Sequence, residues 1–572
     1  MEYQLETKVC QNCKKDFTIE PDDFLFYDKI KVPAPTWCAE CRMTRRMMWR
    51  NVRSLYKRDC GLCKKSLISM YKDDGTPVFC LECFNSDKWD QFSYASEINW
   101  DENVFVQINN IFKKQPRQYR YVIGTVINSD YCNSIVDSKN AYLCYSLIGC
   151  ENVMYSENID KSKNTLDSFS VSGLDQCYSN IISNNNYNSH FLISSSSCFD
   201  SLFLFDCSNC NNCCLSSNLR NQQYYFLNKK YTKEEYQEKL KNIKINTYSG
   251  ITLANNLFQD VYKKAIHRYA HIISSENVLG DFITNSKSIY KCFDVSEGSE
   301  NIRYSNRIIN SKDMMDIFAV MTGELSYECI APSGNAYKQI GCSFCVGSKN
   351  IEYSLFCKNC SDCFGCVSIK GASYCIFNKQ YTKEEYNEIV PKLRQYMIDN
   401  PYIGDNKRKY VYGDFYPIEF SVFGYNETVN LDYFPISSDL ASEMKYPWKF
   451  REKRDYNISM RSDKLPDDIN DVKENILKEI IGCFNDGNSS FQCTTAYRIT
   501  SEELQFYKHK GLPLPRYCPN CRHYQRLEYR NPVKLWHRSC MNNGCTNEFE
   551  TSYSPERPEI IYCEKCYQQE VY

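Results

Sequence analysis

Short strand-compatible stretches, bounded by Ser, Asn and Gly, dominate residues 130–380. Within them SKNAYLC begins at Ser138, CENVMYS at Cys150 and SKNTLDS at Ser162, so the repeat has a period of twelve. Short runs separated by turn residues are typical of strands. A unit this short cannot bury a core alone, so the repeat predicts units stacked into a β-solenoid. Related units in the second half begin at Ser299, Ser311 and Ser348.

A larger duplication includes this short repeat. FLNKKYTKEEYQEKL (226–240) and IFNKQYTKEEYNEIV (376–390) are offset by 150 residues. In each copy a Thr is followed three residues later by a Glu, the pattern of a capping box. Each half of the repeat region is therefore predicted to end in one amphipathic helix.

Cysteine carries most of the candidate chemistry. The 34 cysteines fall in four blocks, with eight in 10–83, nine in 132–214, nine in 292–375 and eight in 483–566. The first residues lack the apolar core of a secretory signal, so we expect an intracellular, reducing environment. In that environment CxxC pairs are read as metal ligands, since two such pairs complete a tetrahedral Zn–S4 site.

The two outer blocks predict four such sites. The C-terminal block repeats the N-terminal plan at an offset of 480 residues, but Ser490 occupies the position that matches Cys10. Cys483 is therefore the candidate fourth ligand of the third site. We expect about four zinc ions per chain, each closed by four thiolates and structural rather than catalytic. The predicted ligands are Cys10, Cys13, Cys38 and Cys41; Cys60, Cys63, Cys80 and Cys83; Cys483, Cys493, Cys518 and Cys521; and Cys540, Cys545, Cys563 and Cys566.

Both zinc modules contain three arginines at helical spacing. If CRMTRRMMWRN (41–51) and CRHYQRLEYRN (521–531) are helical, each segment carries the three on one face. Basic residues among aromatics suit phosphate contact and base stacking, so RNA or DNA is a candidate partner. The alternative is a solvated basic helix packed on the zinc core. The candidate nucleic-acid residues are Arg42, Arg46 and Arg50, and Arg522, Arg526 and Arg530.

The cysteines of the middle region leave two interpretations open. Spacing at every third residue resembles the C-x2-C-x2-C run of ferredoxins, which would indicate a metal or iron–sulfur site. The alternative is a row of buried thiols in the solenoid. The cysteines concerned are Cys207, Cys210 and Cys213 in the first half, and Cys357, Cys360, Cys363 and Cys366 in the second.

Charge and hydropathy narrow the function class. The 69 Lys and Arg balance 70 Asp and Glu, so no global charge draws the protein to nucleic acid or membrane. No apolar run approaches the ~20 residues of a membrane span. We therefore expect a cytoplasmic protein without a membrane partner.

The motifs resemble a known family. VCQNCKKDFTIEPDDFLFYDKIKVPAPTWCAEC resembles the treble-clef-like zinc-ribbon domain of many bacterial proteins. NSDKWD, SKNAYLC, FNKQYTKEEY, FGYNETV and RNPVKLWHRSC resemble the large cysteine-rich zinc-ribbon proteins of candidate-phyla bacteria, over essentially the whole chain. The resemblance implies the architecture but no activity. The CaiB/BaiF-like transferase label that some members carry has no support in these residues.

The predicted fold class is mainly β, a duplicated β-solenoid-like region flanked by treble-clef or zinc-ribbon modules with a few short helices. The predicted function is a non-enzymatic zinc-binding scaffold that contacts nucleic acid. The alternatives are a protein- or glycan-binding solenoid capped by zinc modules, a redox or iron–sulfur protein, and a β-helix carbohydrate enzyme. The predicted domains are a zinc module (1–90), two solenoid halves (91–245 and 246–400), a connector (401–475) and a second zinc module (476–572).

Overall fold

Two stacks of parallel strands form the centre of the molecule. The computed structural model describes residues 3–450, 456–488 and 492–572. Ser490 lies outside these ranges, as do residues 451–455 of the predicted connector. With 32% strand and 24% helix, the chain is strand-rich with a few helices, which confirms the mainly β prediction.

In the first ladder (residues 122–230) the strands pair in parallel with the strand one sequence repeat further along, except the last, Lys229–Lys230, which pairs antiparallel with Tyr225–Phe226. Asn133 pairs with Tyr145, which pairs in turn with Glu157. Almost every third residue has a positive φ, as Asn140 (53°) and Leu143 (50°) do, and such residues turn the chain sharply. Each rung thus has four corners joined by short straight sides. The strands are Val122–Ile123, Asn133–Val136, Lys139–Tyr142, Tyr145–Ile148, Glu151–Met154, Glu157–Asp160, Lys163–Leu166, Phe169–Ser172, His190–Ile193, Leu202–Phe205, Cys214–Ser217, Tyr225–Phe226 and Lys229–Lys230.

The residue directly after each corner points into the ladder. Cys144, Leu147, Cys150 and Val153 follow at intervals of three and are each at most 2% exposed. The short sides leave a narrow interior, which small side chains fill. Polar ones satisfy the backbone: Ser201 Oγ donates to the Phe199 carbonyl (2.8 Å) and accepts from the N–H of Cys213 one rung on (3.2 Å). The period of the sequence repeat therefore corresponds to one rung.

The second ladder (residues 272–380) follows the same plan, with some rungs one residue shorter or longer. Its strand Asn306–Ile330 bends at corners such as Asp313 and Asp316, both with positive φ. Lys349, Ser361 and Ser373 pair in the regular register of the repeat. The strands are Ile272–Ile273, Glu276–Thr284, Lys287–Ser296, Glu300–Arg303, Asn306–Ile330, Ala336–Ile340, Lys349–Glu352, Ser361–Phe364, Ser373–Ile376 and Lys379–Gln380.

Helices lie outside the ladders. Thr232 and Thr382 cap the helices that follow each ladder through capping boxes with Glu235 and Glu385, as predicted. None of the helices in the described ranges combines the length and apolar character needed to cross a lipid bilayer. The helices are α1 (Pro21–Ile30), α2 (Ala39–Met47), α3 (Leu81–Asn85), α4 (Val104–Lys114), α5 (Lys233–Ile243), α6 (Tyr248–Lys264), α7 (Lys383–Asp399), α8 (Asn430–Tyr433), α9 (Ser438–Glu443), α10 (Ser501–Lys510), α11 (Pro519–Leu527) and α12 (Glu564–Val571).

Small sheets build the two ends of the chain, here called the N-terminal module (residues 3–90) and the C-terminal module (residues 480–572). The described parts of residues 401–475 (401–450 and 456–475) lie between the second ladder and the C-terminal module in sequence and pack on both modules. The pairs and triple of strands are Glu6–Val9 with Asp16–Ile19; Tyr56–Asp59 with Ser66–Ser69; Val78–Phe79 with Arg117–Gln118; Ile266–Arg268 with Ile560–Tyr562; Tyr402–Ile403 with Lys409–Tyr410; Met460–Arg461, Ile481–Gly482 and Ala496–Tyr497; and Trp536–Ser539 with Glu548–Thr551.

Because Leu147 fills the narrow interior, truncating it tests the rung geometry. Leu147→Ala should lower the free energy of unfolding by about 2–5 kcal/mol, since neighbouring sides cannot collapse into the space. Leu253→Ala on α6, where Leu253 is 54% exposed, is the matched control and should change it by under about 0.5 kcal/mol. Urea denaturation of both variants measures the difference. Equal effects would contradict an inward-facing Leu147.

Candidate metal centres

A hairpin and a helix N-terminus together build the first cysteine tetrad. Cys10 and Cys13 occupy the turn between strands Glu6–Val9 and Asp16–Ile19. Cys38 is the N-cap residue of α2, and Cys41 lies in its first turn. Asn12 Nδ2 donates to the Cys41 sulfur at 3.3 Å. Two short rigid elements thus hold four sulfurs around one point.

The four predicted tetrads all assemble in this way. In each, the four sulfurs lie within 4.8 Å of one another. A regular tetrahedron with metal–sulfur bonds of ~2.3 Å has its sulfurs about 3.8 Å apart. The observed Sγ–Sγ distances of neighbouring pairs are 3.8 Å for Cys13–Cys38, 3.9 Å for Cys63–Cys80, 3.8 Å for Cys483–Cys521 and 3.9 Å for Cys545–Cys563. The spacing fits a tetrahedral metal ion in each tetrad.

One hydrogen bond recurs in every tetrad. The backbone N–H of the third cysteine donates to the sulfur of the first at 3.2 or 3.3 Å. In the third tetrad the acceptor is Cys483, which therefore has the place that Cys10 has in the first. The grouping of Cys483 with Cys493, Cys518 and Cys521 confirms that it is the fourth member.

The surroundings favour the thiolate form of one cysteine of the second tetrad, Cys60. Burial raises the pKa of the Cys60 thiol, but hydrogen bonds from the backbone N–H groups of Cys80 and Cys63 outweigh it and lower the pKa to about 6. The thiolate is the form that binds metal. At neutral pH Cys60 is therefore mainly in the thiolate form that binds metal.

The cysteines of the middle region owe their spacing to a different structure from that of the tetrad cysteines. Cys207, Cys210 and Cys213 point inward from three successive sides of one rung and are at most 1% exposed. Cys357, Cys360, Cys363 and Cys366 have the same relation in the second ladder and pack with apolar residues. Each of these sulfurs approaches backbone carbonyls, as Cys210 Sγ does that of Ser208 (3.4 Å). Their three-residue spacing follows from the length of a side.

Within the described ranges, no ladder cysteine belongs to a group of three or more converging metal-ligand side chains. The structure therefore accounts for these C-x2-C runs as interior packing. The N- and C-terminal tetrads differ because a hairpin turn, rather than a rung, sets their spacing.

The arginine triplet of the N-terminal module lies inside the protein. Arg42, Arg46 and Arg50 are 2%, 0% and 4% exposed. Arg42 Nε lies 2.9 Å and Arg46 Nη2 3.1 Å from the carboxylate of Asp316 in the second ladder. Arg46 Nη1 forms a further ion pair with Glu328 Oε2 at 3.0 Å. Burial opposes the charge of Arg42, but Asp316 together with Tyr27, Tyr327 and Glu328 outweighs it and raises the pKa of this guanidinium well above its ordinary value.

The C-terminal triplet docks in the same way on the first ladder. Arg526 Nη1 is 2.9 Å and Arg522 Nε is 3.4 Å from Oδ1 of Asp167. Arg530 is partly buried and stacks on Tyr433, 4.1 Å from the ring centroid. Asp167 and Asp316 are thus equivalent partners, each receiving two arginines from one module.

A tyrosine and a carboxylate repeat beside each arginine pair. Tyr304 donates to Asp23 of α1 at 2.8 Å, and Tyr155 donates to Glu503 of α10 at 2.9 Å. Asp23 and Glu503 are separated by the 480-residue offset of the two modules. The two interfaces are therefore copies of one design, here called the clamps: Arg42, Arg46 and Asp316 form the N-terminal clamp, and Arg522, Arg526 and Asp167 the C-terminal clamp.

The predicted solvent-facing arginine surface is wrong for these residues. Five of the six arginines are buried, and the sixth is partly buried against the connector. Trp49 is likewise 4% exposed and packs on Tyr416, 5.1 Å between ring centroids. The repeated arginine spacing reflects the docking of each module on a ladder of the same chain. The sequence does not show this, because the carboxylate partners lie far away in it.

A fifth cluster of polar side chains, around His523, is not among the sequence predictions. His523 Nε2 lies 3.8 Å from Glu157 and 3.7 Å from Asp432, with Arg53 donating to Glu157 at 2.8 Å. Burial and then Arg53 hold the pKa of His523 well below its ordinary value, so the imidazole is neutral. The four residues come from both modules, the first ladder and the connector. Their sequence separation leaves no local motif to find them by.

Comparisons with known proteins add no family. No family model matches the chain, and no curated protein matches it. One solved structure that aligns with it is described as a putative acetyltransferase from Desulfovibrio desulfuricans G20. It is 11% identical, with a TM-score of 0.10, and the alignment covers 41% of this chain and 66% of that one, just under two thirds of its length. A likeness this weak carries no structural argument.

Metal content tests the assignment of the tetrads. Purified protein should contain about four metal ions per chain, and Cys483→Ser about three, since a missing thiolate opens one tetrahedral site. Cys210→Ser is the matched control, and it should leave the content unchanged because Cys210 faces the ladder interior. Elemental analysis of the three proteins measures this. Loss of metal in Cys210→Ser would contradict the interior role.

Proposed function

We propose that the chain is a non-enzymatic, zinc-held binding scaffold, a duplicated β-solenoid clamped by two pairs of treble-clef-like zinc sites. The observation that carries the proposal is the burial of both arginine pairs against Asp316 and Asp167. Each pair lies on a helix, α2 or α11, whose N-terminal end also holds two tetrad cysteines. Metal binding thereby sets the position of the arginines that fasten each module to a ladder.

Zinc is the metal best suited to the tetrads. Four thiolates in tetrahedral geometry suit zinc or an iron–sulfur cluster, and a single ion fits sulfurs spaced at 3.8–4.0 Å. Such a site has no open position, which supports a structural role. Zinc without iron in the elemental analysis is the expected result, and iron would revive the redox alternative.

Within the part of the chain that the structure describes, the contacts of three candidate carboxylates argue against the β-helix enzyme. Of the candidate carboxylates Asp137, Asp160, Asp167, Asp175, Asp294 and Asp316, Asp167 and Asp316 each bind arginines and lie in different ladders. Asp137 accepts from the backbone N–H of Thr125 at 2.9 Å. A hydrolytic pair needs two carboxylates facing one bond. The carboxylates most deeply buried here are already neutralised.

Contact with RNA or DNA stays a prediction, but not through the six arginines. A basic surface would have to come from exposed side chains such as Lys57, Lys64 and Lys65 of the N-terminal module. Binding of the wild-type protein to RNA and DNA across about 50–200 mM salt tests this, because phosphate contact gives a steep salt dependence. Salt-sensitive binding lost on substituting these lysines would return nucleic acid as the partner.

Removing one clamp carboxylate tests the scaffold proposal. Asp316→Asn should destabilise the protein by about 3–5 kcal/mol, because it leaves Arg42 and Arg46 buried without their main partner. Tryptophan fluorescence during urea unfolding measures it, since Trp37 and Trp49 are buried in the N-terminal module.

Asp313→Asn is the matched control. Asp313 has a similar positive φ one corner earlier, and its partner Lys29 (3.0 Å) has a side chain 51% exposed. Such a surface pair contributes about 0–1 kcal/mol. If Asp316→Asn were as stable as Asp313→Asn, the clamp would not hold the module and the proposal would fail.

A further inference from the structure

A groove of mixed polar and apolar lining lies where the C-terminal module meets the first ladder. It has a volume of about 1110 Å³ and runs between ladder corners and α10. Four asparagines, Asn128, Asn140, Asn152 and Asn164, line it at successive rungs. The volume reaches the upper end of the range of small-ligand sites. The groove thus has room for a chain-like ligand of several units.

The asparagine amides form one continuous row. Asn128 donates to Asn140 (3.2 Å), Asn140 to Asn152 (3.0 Å) and Asn152 to Asn164 (3.0 Å). Each amide has two donor hydrogens and an oxygen with two lone pairs. One hydrogen and one lone pair of each central amide therefore remain for a ligand, repeated at the strand spacing of ~4.8 Å.

The backbone alone does not require this row. Asparagine suits the left-handed corner, but the next corner of the same rungs is occupied by Leu143 and Tyr155, which have the same positive φ. The corner conformation alone therefore does not explain the unbroken asparagine column beside the groove, and the amide side chain itself is part of the explanation.

Aromatic rings stand beside the amides. Tyr131 is 45% exposed and contacts Tyr142 edge to face, 5.5 Å between ring centroids. Phe506 of α10 lines the same groove. A sugar ring presents vicinal hydroxyls that pair with amides and a C–H face that packs on aromatic rings. Amides and rings side by side match both surfaces of a sugar.

Charge and hydrogen bonding disfavour other polymers. A phosphate chain would meet Asp130 and Glu502, while the Lys510 ammonium is already bound by Gln176 and by Asn188 (2.8 Å). An extended peptide would need a free strand edge, but the rungs pair with each other here: the Asn140 N–H donates to the Ile127 carbonyl (2.9 Å).

We propose that this groove binds a neutral oligosaccharide along the asparagine row. The proposal deepens the binding-scaffold function and rests on it, because α10 of the clamped C-terminal module forms one side of the groove. The row presents hydroxyl-binding amides from successive rungs, and Tyr131 and Tyr142 receive sugar faces. The ligand is held without covalent chemistry.

Binding of neutral tetrasaccharides to the full-length protein tests the proposal. The probes are the tetramers of β-1,4-glucan, β-1,3-glucan, β-1,4-mannan and α-1,4-glucan, measured by titration calorimetry and saturation-transfer NMR. At least one should bind the wild type, and Asn140→Gly/Asn152→Gly should weaken it by about tenfold or more, since two amide contacts are lost. Glycine accepts the positive φ of both corners.

Asn209→Gly/Asn221→Gly is the matched control. Asn209 and Asn221 have the same corner conformation and the same amide hydrogen bond (3.1 Å) but do not line the groove. This variant should bind as the wild type does. No binding of any tetrasaccharide, or equal loss in both variants, would overturn the proposal. So would a decapeptide or an oligonucleotide that binds in place of the sugars and is weakened by Asn140→Gly/Asn152→Gly.

The two proposals fail in distinguishable ways. The first case is that the wild type binds no sugar, while Asn140→Gly/Asn152→Gly keeps the metal content and the unfolding free energy of the wild type. This result would reject the groove proposal and leave the scaffold proposal standing. An Asp316→Asn variant as stable as its control would instead reject the clamp, whatever the sugars do.

Discussion

Two buried carboxylates, Asp316 and Asp167, hold the arrangement of the molecule. Each receives two guanidinium groups from one cysteine-bearing helix. Buried charges are tolerated only with opposite charges and hydrogen bonds close by, so each module fits its ladder in one orientation. The C-terminal side of the groove, the packing of the connector and the meeting point of His523, Glu157 and Asp432 all depend on that orientation.

The cysteines illustrate how two physical rules can give one sequence pattern. A hairpin turn before a helix places two thiols three residues apart in one tetrad, as Cys10 and Cys13 show. A four-sided rung places thiols three residues apart on different sides, as Cys207 and Cys210 show. Spacing alone cannot separate these cases.

Much of the architecture follows from sequence because its causes are local. The short repeat sets the rung, Thr–Glu pairs cap the helices, and the duplication of the modules locates the third tetrad even where Ser490 interrupts the match. The prediction for the arginine triplets is wrong because their carboxylate partners are distant in sequence. Asp316 resembles the other aspartates of the repeat region, and only the fold places it beside Arg42. The groove is equally invisible, since its two sides are distant in sequence: Lys510 and its partner Asn188 are 322 residues apart.

The N-terminal module contacts the second ladder and the C-terminal module contacts the first. This arrangement affects the order in which the contacts can form during synthesis. Arg42 meets an aspartate 274 residues later in the chain, and Arg526 meets one 359 residues earlier. The N-terminal module leaves the ribosome first, yet the surface that neutralises its arginines is made only when the second ladder is under way. Until then the arginines of α2 lack the buried carboxylates that neutralise them in the folded protein. Contacts so distant in sequence close late and slowly, so the docking of α11 on the first ladder follows the synthesis of both ladders and the connector.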